Sequence, residues 1–306
     1  MPASEHDPLA SVVVPAFNAA ATIVATVQSA LNQSLTSLEV IVVNDGSTDS
    51  TAQIVDEIAD PRVRLVNQAN RGLPAARNAG IRASHGTYVA FLDSDDLLLP
   101  DFLSLGVEAL QRMPKPGLAY TDAYVLDDAS GRFRETSAMA QFDPPVPPPE
   151  ESTAFLLALM RINFVYVSTI VPRDVLQATG GFNEGLTSCE DYDLWLRILV
   201  HGYQAAWVPG RHAVYRLHAG QMTRNVMRMA RNLSAVYDGL PLEEMPSPAH
   251  RDFLLRRRRQ AQLSVRVTSP LRQLVPEKLV VSARSKRNRW YDTPPPELAD
   301  AFPTLD

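Results

Sequence analysis

An α/β fold with a mostly parallel central sheet flanked by helices is predicted by two observations. Short β-branched runs alternate with longer amphipathic segments through the first half of the chain, and three of those runs lead into a polar motif where a strand would pass into a loop. The chain has 306 residues, 45% of them hydrophobic and 21% charged. A domain typically takes about 100–200 residues, so this length suits one large α/β domain with an appendage. The composition argues against disorder or a fibrous architecture.

Ser11-Val12-Val13-Val14 reads as the first strand and 20–32 as the helix after it. Leu38-Glu39-Val40-Ile41-Val42-Val43 reads as the second strand, followed by Asp45-Gly46-Ser47, with Thr48 as the N-cap of a helix through Ile58. Val63-Arg64-Leu65-Val66 is the third strand, 73–83 a third helix, and 87–92 a fourth strand running directly into Asp93. Ligands of open α/β sheets collect at the carboxyl ends of the strands, where loops and helix N-termini converge. Asn18, Asp45 and Asp93 each follow a strand and are therefore expected in one crevice.

Beyond Asp93, 118–124 reads as another strand. Residues 127–151 are loop-like, because Pro144-Pro145-Val146-Pro147-Pro148-Pro149 is too rich in proline for a helix or sheet interior. A helix over 153–161, a strand over 168–171, a Gly180-Gly181 turn, a helix over 190–200 and strands over 205–208 and 213–216 complete the α/β part. We set its bounds at 1–225 and read 226–306 as a helical, basic C-terminal extension.

The net charge of −5 is unevenly spread, since residues 251–290 hold 12 Lys/Arg against 2 Asp/Glu. The run Arg256-Arg257-Arg258-Arg259 is set among apolar residues. Such a mixture can lie on anionic lipid at a membrane's cytoplasmic face, or form a helix that packs back on the main domain. Sparse aromatic residues there argue against nucleic acid. The acidic start lacks a secretory signal, and no run reaches the roughly 18–20 apolar residues that cross a bilayer. With Cys189 the single cysteine, an internal disulfide is excluded and a reducing cytoplasm is the expected compartment.

Asp93-Ser94-Asp95-Asp96 is the sharpest local signal, because carboxylates crowded at a strand end repel one another unless a cation or hydrogen-bond donors offset them. Mg²⁺ or Mn²⁺ bridging to a diphosphate supplies that offset, and a solvated acidic turn capping a helix is the plain alternative. Asp45-Gly46-Ser47 offers a carboxylate and backbone N–H groups for a base or ribose, and reads equally as a simple turn. In 70–78, Arg77 sits about one turn inside a helix, where its fork suits a diphosphate or a base carbonyl, or lies on the surface.

Together with Val14-Pro15-Ala16-Phe17-Asn18, these segments resemble the family 2 glycosyltransferases of the GT-A fold, whose sheet is Rossmann-like and whose reaction inverts the sugar. The resemblance covers roughly residues 10–220, with its motifs in the expected order. Pro15-Ala16-Phe17-Asn18 matches the family's opening Pro-x-aromatic-Asn, and Asn44-Asp45-Gly46-Ser47 its Asn-Asp-Gly-Ser. By resemblance, Pro15, Phe17, Asn18, Asp45, Arg77, Asp93 and Ser94 bind the donor nucleotide, with Asp45 on the base and Asp93 on the ribose. Asp95 binds Mn²⁺ or Mg²⁺.

Glu190-Asp191 followed by Tyr192-Asp193-Leu194-Trp195 resembles the family's acceptor-side motif, which makes Asp191 the general base and places Glu190 and Trp195 beside the acceptor. Tyr215-Arg216-Leu217-His218 resembles the segment that closes the site, where His218 completes the metal shell or remains structural and Arg216 meets phosphate. Cys189 has no catalytic partner and reads as a filler. The implied function is transfer of a sugar from a nucleotide-diphosphate sugar to a glycan or lipid-linked acceptor, in cell-surface polysaccharide or glycoconjugate synthesis. A non-catalytic nucleotide-sugar-binding or scaffolding protein of the same fold is the rival.

A dinucleotide oxidoreductase is disfavoured by the missing Gly-x-Gly-x-x-Gly turn, and a nucleotidyltransferase by the lack of a Gly-rich basic loop after the first strand. A processive synthase would carry Gln-x-x-Arg-Trp soon after the base. Lys286-Arg287-Asn288-Arg289-Trp290 lacks the glutamine and lies about a hundred residues too late.

Overall fold

Valine-rich segments that are buried along their whole length form the centre of the sheet. Strands β1 (Ala10–Ala16) and β2 (Leu38–Asp45) are covered on both faces, which is why they read as near-continuous apolar runs rather than alternating ones. The computed structural model describes residues 7–141, 151–166, 168–218 and 225–271, and residues 290, 291, 295, 298 and 301. Among these, β3 (Val63–Gln68), β2, β1 and β4 (Tyr88–Phe91) lie side by side and parallel. The sheet continues antiparallel through β8 (Thr169–Pro172) to β6 (Pro116–Asp127), which pairs parallel with the long β9 (Gln204–Leu217). Parallel ladders hold most of the paired residues. The short strands β5 (Leu97–Leu98), β7 (Arg132–Arg134) and β10 (Trp290–Tyr291) add antiparallel margins.

Helices cover both faces. On one side α1 (Ile23–Leu31), α2 (Thr51–Asp56) and α4 (Phe102–Gln111) bury Ile23, Val27, Val55, Phe102 and Leu103 against Val12 and Val14 of β1. On the other lie α3 (Leu73–Ala83), α5 (Ser152–Arg161), α6 (Arg173–Ala178) and α7 (Glu190–Val200). Helix α3 comes close to the sheet because Gly80 has no side chain: a Cβ there would lie 2.2 Å from Val13 Cγ1. That approach fixes how deep the α3 side chains sit beside the strand ends.

The expected α/β fold and mostly parallel sheet are present, and the bounds of α3 and α7 coincide with the sequence reading. Four local expectations change. Thr48 does not cap α2, which begins at Thr51; its N–H donates instead to Asn18 Oδ1 at 2.8 Å. The separate strands expected at 205–208 and 213–216 are one strand, β9, whose ladder with β6 slips around Asp122 and so disguises its continuity. Residues 127–151 contain β7 and a 3-10 turn at Met139–Gln141, while Pro144–Pro149 falls outside the described residues. Helix α4 has no counterpart among the elements expected from sequence.

The chain then folds back as a hairpin of α8 (Val226–Gly239) and α9 (Pro248–Leu271). Val236, Tyr237, Leu240 and Leu254 of this hairpin share one core with Phe155 of α5 and Leu194 of α7. Two members of the arginine run are used internally. Arg257 donates to Tyr237 Oη (2.9 Å), and Arg258 caps the end of α8 by donating to the Tyr237 carbonyl (2.8 Å) and the Leu240 carbonyl (2.6 Å). Among the described residues no helix is long and apolar enough to cross a membrane.

Candidate active site

Because β1, β2 and β4 run parallel, their carboxyl ends deliver Asn18, Asp45 and Asp93 to the same edge of the sheet. The first two loops are bonded together. Asn18, held at φ 53°, donates its N–H to Ser47 Oγ (3.0 Å) while Oδ1 accepts from Thr48 N–H. Asparagine tolerates this left-handed conformation better than most residues. Gly46, at φ 72°, lets the next turn pass: a Cβ there would meet the Asn70 nitrogen at 2.8 Å. Asp45 accepts from the N–H groups of Arg71 (2.9 Å) and Gly72 (2.8 Å) and from Gln68 Nε2 (2.8 Å), which ties the approach to α3 onto the end of β2. Phe17 stands at the rim with half of its surface exposed, whereas Pro15 is buried within β1.

Arg77 is not a surface residue. It is 2% exposed, and its fork donates to Asp93 Oδ1 and to Glu190 Oε1, each at 2.6 Å. Its guanidinium carbon lies 5.2 Å from the centre of the Phe182 ring, which packs against Phe91 and Trp195. The neighbouring acids hold the arginine's pKa further up, against its burial. One cation thus joins the end of β4 to the start of α7.

At the end of β4, Asp93, Asp95 and Asp96 each place a carboxylate oxygen so that all three lie within 4.8 Å of one another. Burial, then repulsion from Asp95 and Asp93, pushes the Asp96 carboxyl well above its ordinary range, although Oδ1 accepts the Arg216 N–H at 2.9 Å. Asp95 is raised by burial and by Asp93, with His218 working the other way through a 2.7 Å contact from Nε2 to Oδ2. The Ser94 carbonyl accepts from the hydroxyls of Thr22 (2.7 Å) and Thr26 (3.0 Å), which pins the turn against α1. Only the start of the closing segment, through His218, is among the described residues; Gly220-Gln221 lies outside them.

Helix α7 starts sharply from Cys189, a non-glycine residue at φ 61°. Asp191 follows on the first turn, half-buried, and its Oδ1 accepts the Tyr192 N–H at 2.6 Å. Burial and the adjacent Glu190 push its carboxyl up to about 7, with Arg77 opposing. Burial, followed by the charges of Asp191 and Glu190, takes the Cys189 thiol to about 12, a value that leaves it protonated and unreactive.

Of the sequence-assigned residues, Arg77 bonds both Asp93 and Glu190 and His218 bonds Asp95, while Asn18, Asp45, Ser94 and Asp191 are held by bonds to neighbouring loops, to α1 and to their own turn. Trp195 is placed differently, completely buried among Phe91 and Phe182, so its indole supports α7 from beneath and does not face an acceptor. Residues the sequence reading missed are those that hold others in place. Thr22 and Thr26 have a legible signal, two hydroxyls four residues apart on one helix face. Asn78, which bonds the Phe182 backbone through both amide atoms at 2.8 Å, has none.

Comparison with known proteins identifies the family and the fold. The profile described as "Glycosyl transferase family 2" matches residues 11–150, and "Glycosyl transferase family group 2" matches 88–276. The succinoglycan biosynthesis protein ExoO of Rhizobium meliloti is 36% identical over 231 residues, which are 74% of this chain and 66% of that protein, just under two thirds of its length. The Escherichia coli protein named UDP-Glc:alpha-D-GlcNAc-diphosphoundecaprenol beta-1,3-glucosyltransferase WfaP is 32% identical over 220 residues, 71% of this chain and 80% of its own length. In three dimensions, S. aureus TarS 1–349 in complex with UDP-GlcNAc superposes with a TM-score of 0.67 at 19% identity, covering 87% of this chain and 76% of that one, a likeness of fold. On the family profiles and the relative matched over most of its length, the chain belongs to glycosyltransferase family 2.

Proposed function

We propose that this protein is an inverting glycosyltransferase that moves a sugar from a nucleotide-diphosphate donor to a hydroxyl of a glycan or lipid-linked acceptor in polysaccharide or glycoconjugate synthesis. The observation that carries the reading is the Arg77 bridge, which sets a three-carboxylate cluster and a carboxyl poised at about 7 on either side of one buried cation. The donor nucleotide is assigned to the laced loops, with Phe17 and Asp45 at the base and Asp93 at the ribose. UDP-glucose is the first donor to test, because the name of the E. coli relative assigns it that sugar nucleotide.

The acidic cluster suits Mg²⁺ or Mn²⁺: its donors are hard carboxylate oxygens, close together, and two of the three carboxyls are raised by burial and then by repulsion from their neighbours, a charge crowding that a divalent cation would relieve. Asp95 is the assigned ligand, since Asp96 is buried on the Arg216 N–H, and His218 is within reach to join it. When bound, the ion supplies charge stabilisation to the leaving diphosphate.

Asp191 acts as general base. The acceptor oxygen attacks the anomeric carbon from the face opposite the leaving group, the bond to the diphosphate breaks, and the hydroxyl proton passes to the Asp191 carboxylate. A carboxyl near 7 is matched to that task at neutral pH. Glu190, bonded to Arg77, fixes the first turn of α7 and keeps this base oriented.

Three measurements test the reading. Melting temperature should rise with Mn²⁺ and one sugar nucleotide from a panel beginning with UDP-glucose, by an amount set by ligand concentration over Kd. Asp95→Asn should lose the Mn²⁺-dependent part, and no stabilisation by any UDP-, GDP- or dTDP-sugar would favour the non-catalytic rival. Turnover should rise with pH through about 7 and level off above it, as Asp191 becomes ionised, and Asp191→Asn should lower kcat by about 10²–10⁴ with donor binding retained. Wild-type kcat in that variant would remove Asp191 from the mechanism. Contact with anionic lipid is assigned to Arg256 and Arg259, exposed on α9 beside Leu255 and Leu263. Sedimentation with phosphatidylglycerol vesicles should weaken in the Arg256→Ser/Arg259→Ser variant, and undiminished binding would rule that surface out.

A further inference from the structure

The turn that carries Asp191 is held at both of its ends by one helix outside the sheet. Asn232 of α8 donates from Nδ2 to Ser188 Oγ (2.8 Å) and Thr187 Oγ1 (3.1 Å), and to the Arg228 carbonyl one turn back (3.1 Å). Between them, Cys189 Sγ lies 4.0 Å from the Met229 carbonyl of the same helix. At the far end of the turn, Tyr192 Oη is 3.1 Å from Tyr237 Oη, and the two rings meet edge to face. Tyr192 Oη also lies 2.8 Å from the Leu159 carbonyl and Tyr237 Oη 3.0 Å from the Met160 carbonyl, the two phenol protons being shared among these contacts, so the hydroxyl pair is moored on the end of α5. Arg257 of α9 completes the mooring by donating to Tyr237 Oη from Nε and from its terminal nitrogen.

What this grip restrains is a strained conformation. Cys189 has a side chain yet sits at φ 61° in the left-handed region, a state that persists only where the surroundings over-determine it. Asp191 lies two residues on. We infer that α8 is a positioning element for the base, with Asn232 and Tyr237 holding the Ser188–Tyr192 turn so that Asp191 keeps its place relative to Arg77 and Asp93. The inference rests on the reading of Asp191 as general base and adds what fixes it: a helix outside the sheet, joined to the turn through Asn232 and Tyr237.

After burial, the main charges acting on Asp191 are Glu190 on its own turn, Arg77 from α3 and Asp93 from the end of β4, with the Cys189 thiol on the same turn. Burial is the largest influence on its carboxyl. Loosening the turn exposes Asp191 to water, lowers that penalty and moves the acid limb of the rate profile toward the ordinary carboxylate range.

The test uses the full chain with Asn232→Leu, which removes the donor at similar volume, and Tyr237→Phe, which removes only the hydroxyl. Turnover of the sugar nucleotide selected by the melting screen is measured against pH, and UDP affinity is measured by calorimetry with Mn²⁺ present. Both variants should lose about tenfold to a hundredfold in kcat, retain UDP affinity within about twofold, and show the acid limb displaced below about 7. Unchanged kcat and an unmoved limb in both variants would overturn the inference. So would a parallel loss of kcat, UDP affinity and melting temperature, since α8 would then be supporting the fold as a whole. Asp191→Asn serves as the control: wild-type kcat there would refute the base assignment itself, independently of α8.

Discussion

The buried guanidinium of Arg77 is the constraint on which the site depends. A cation taken out of water is costly unless its donors are matched by anions, and here Asp93 and Glu190 meet two arms of the fork at 2.6 Å. The two acids come from elements far apart in the sequence, the end of β4 and the start of α7. Neither carboxylate can move without leaving the other or the arginine unpaired in a region of low dielectric. Helix α3 can offer the arginine at that depth because Gly80 lets it rest directly on β1.

Electrostatics on either side of the bridge then diverge. Toward the sheet, Asp95 and Asp96 crowd Asp93 and are raised by burial and repulsion, a demand that suits a divalent cation and a diphosphate. Toward α7, burial and Glu190 raise Asp191 to about 7, where a carboxylate is most useful as a base. One positive charge serves both halves, and it lowers the Asp191 carboxyl that Glu190 raises. The α8–α9 hairpin completes the arrangement from outside the sheet by gripping the turn before and after Asp191.

Much of this was legible in the sequence because central parallel strands announce themselves as unbroken β-branched runs, and polar motifs at their ends stand out against them. The order Asn18, Asp45, Asp93 required only the rule that ligands gather at strand ends. Arg77 was legible as a candidate for donor contact, but its burial between two acids was not, since one partner lies 113 residues away. Strand β9 was read as two pieces because the slip opposite Asp122 breaks the alternation that marks a strand. Trp195 shows the reverse difficulty: a tryptophan beside an acceptor-side motif and one wedged beneath it look the same in one dimension. The roles of Asn232 and Tyr237 depend on tertiary contacts that no local pattern encodes.

The central claim is that Arg77 holds the donor-side and base-side carboxylates as one unit, and the rate profile of Arg77→Met against pH, taken together with its melting curve, tests it most directly. Removing the cation leaves two buried or half-buried carboxylates unpaired and withdraws the charge that lowers Asp191. The account predicts a loss of stability of about 3 kcal/mol and an acid limb displaced above about 7, the direction opposite to that expected when α8 is loosened. An unchanged melting temperature with an acid limb still at its wild-type position would contradict it.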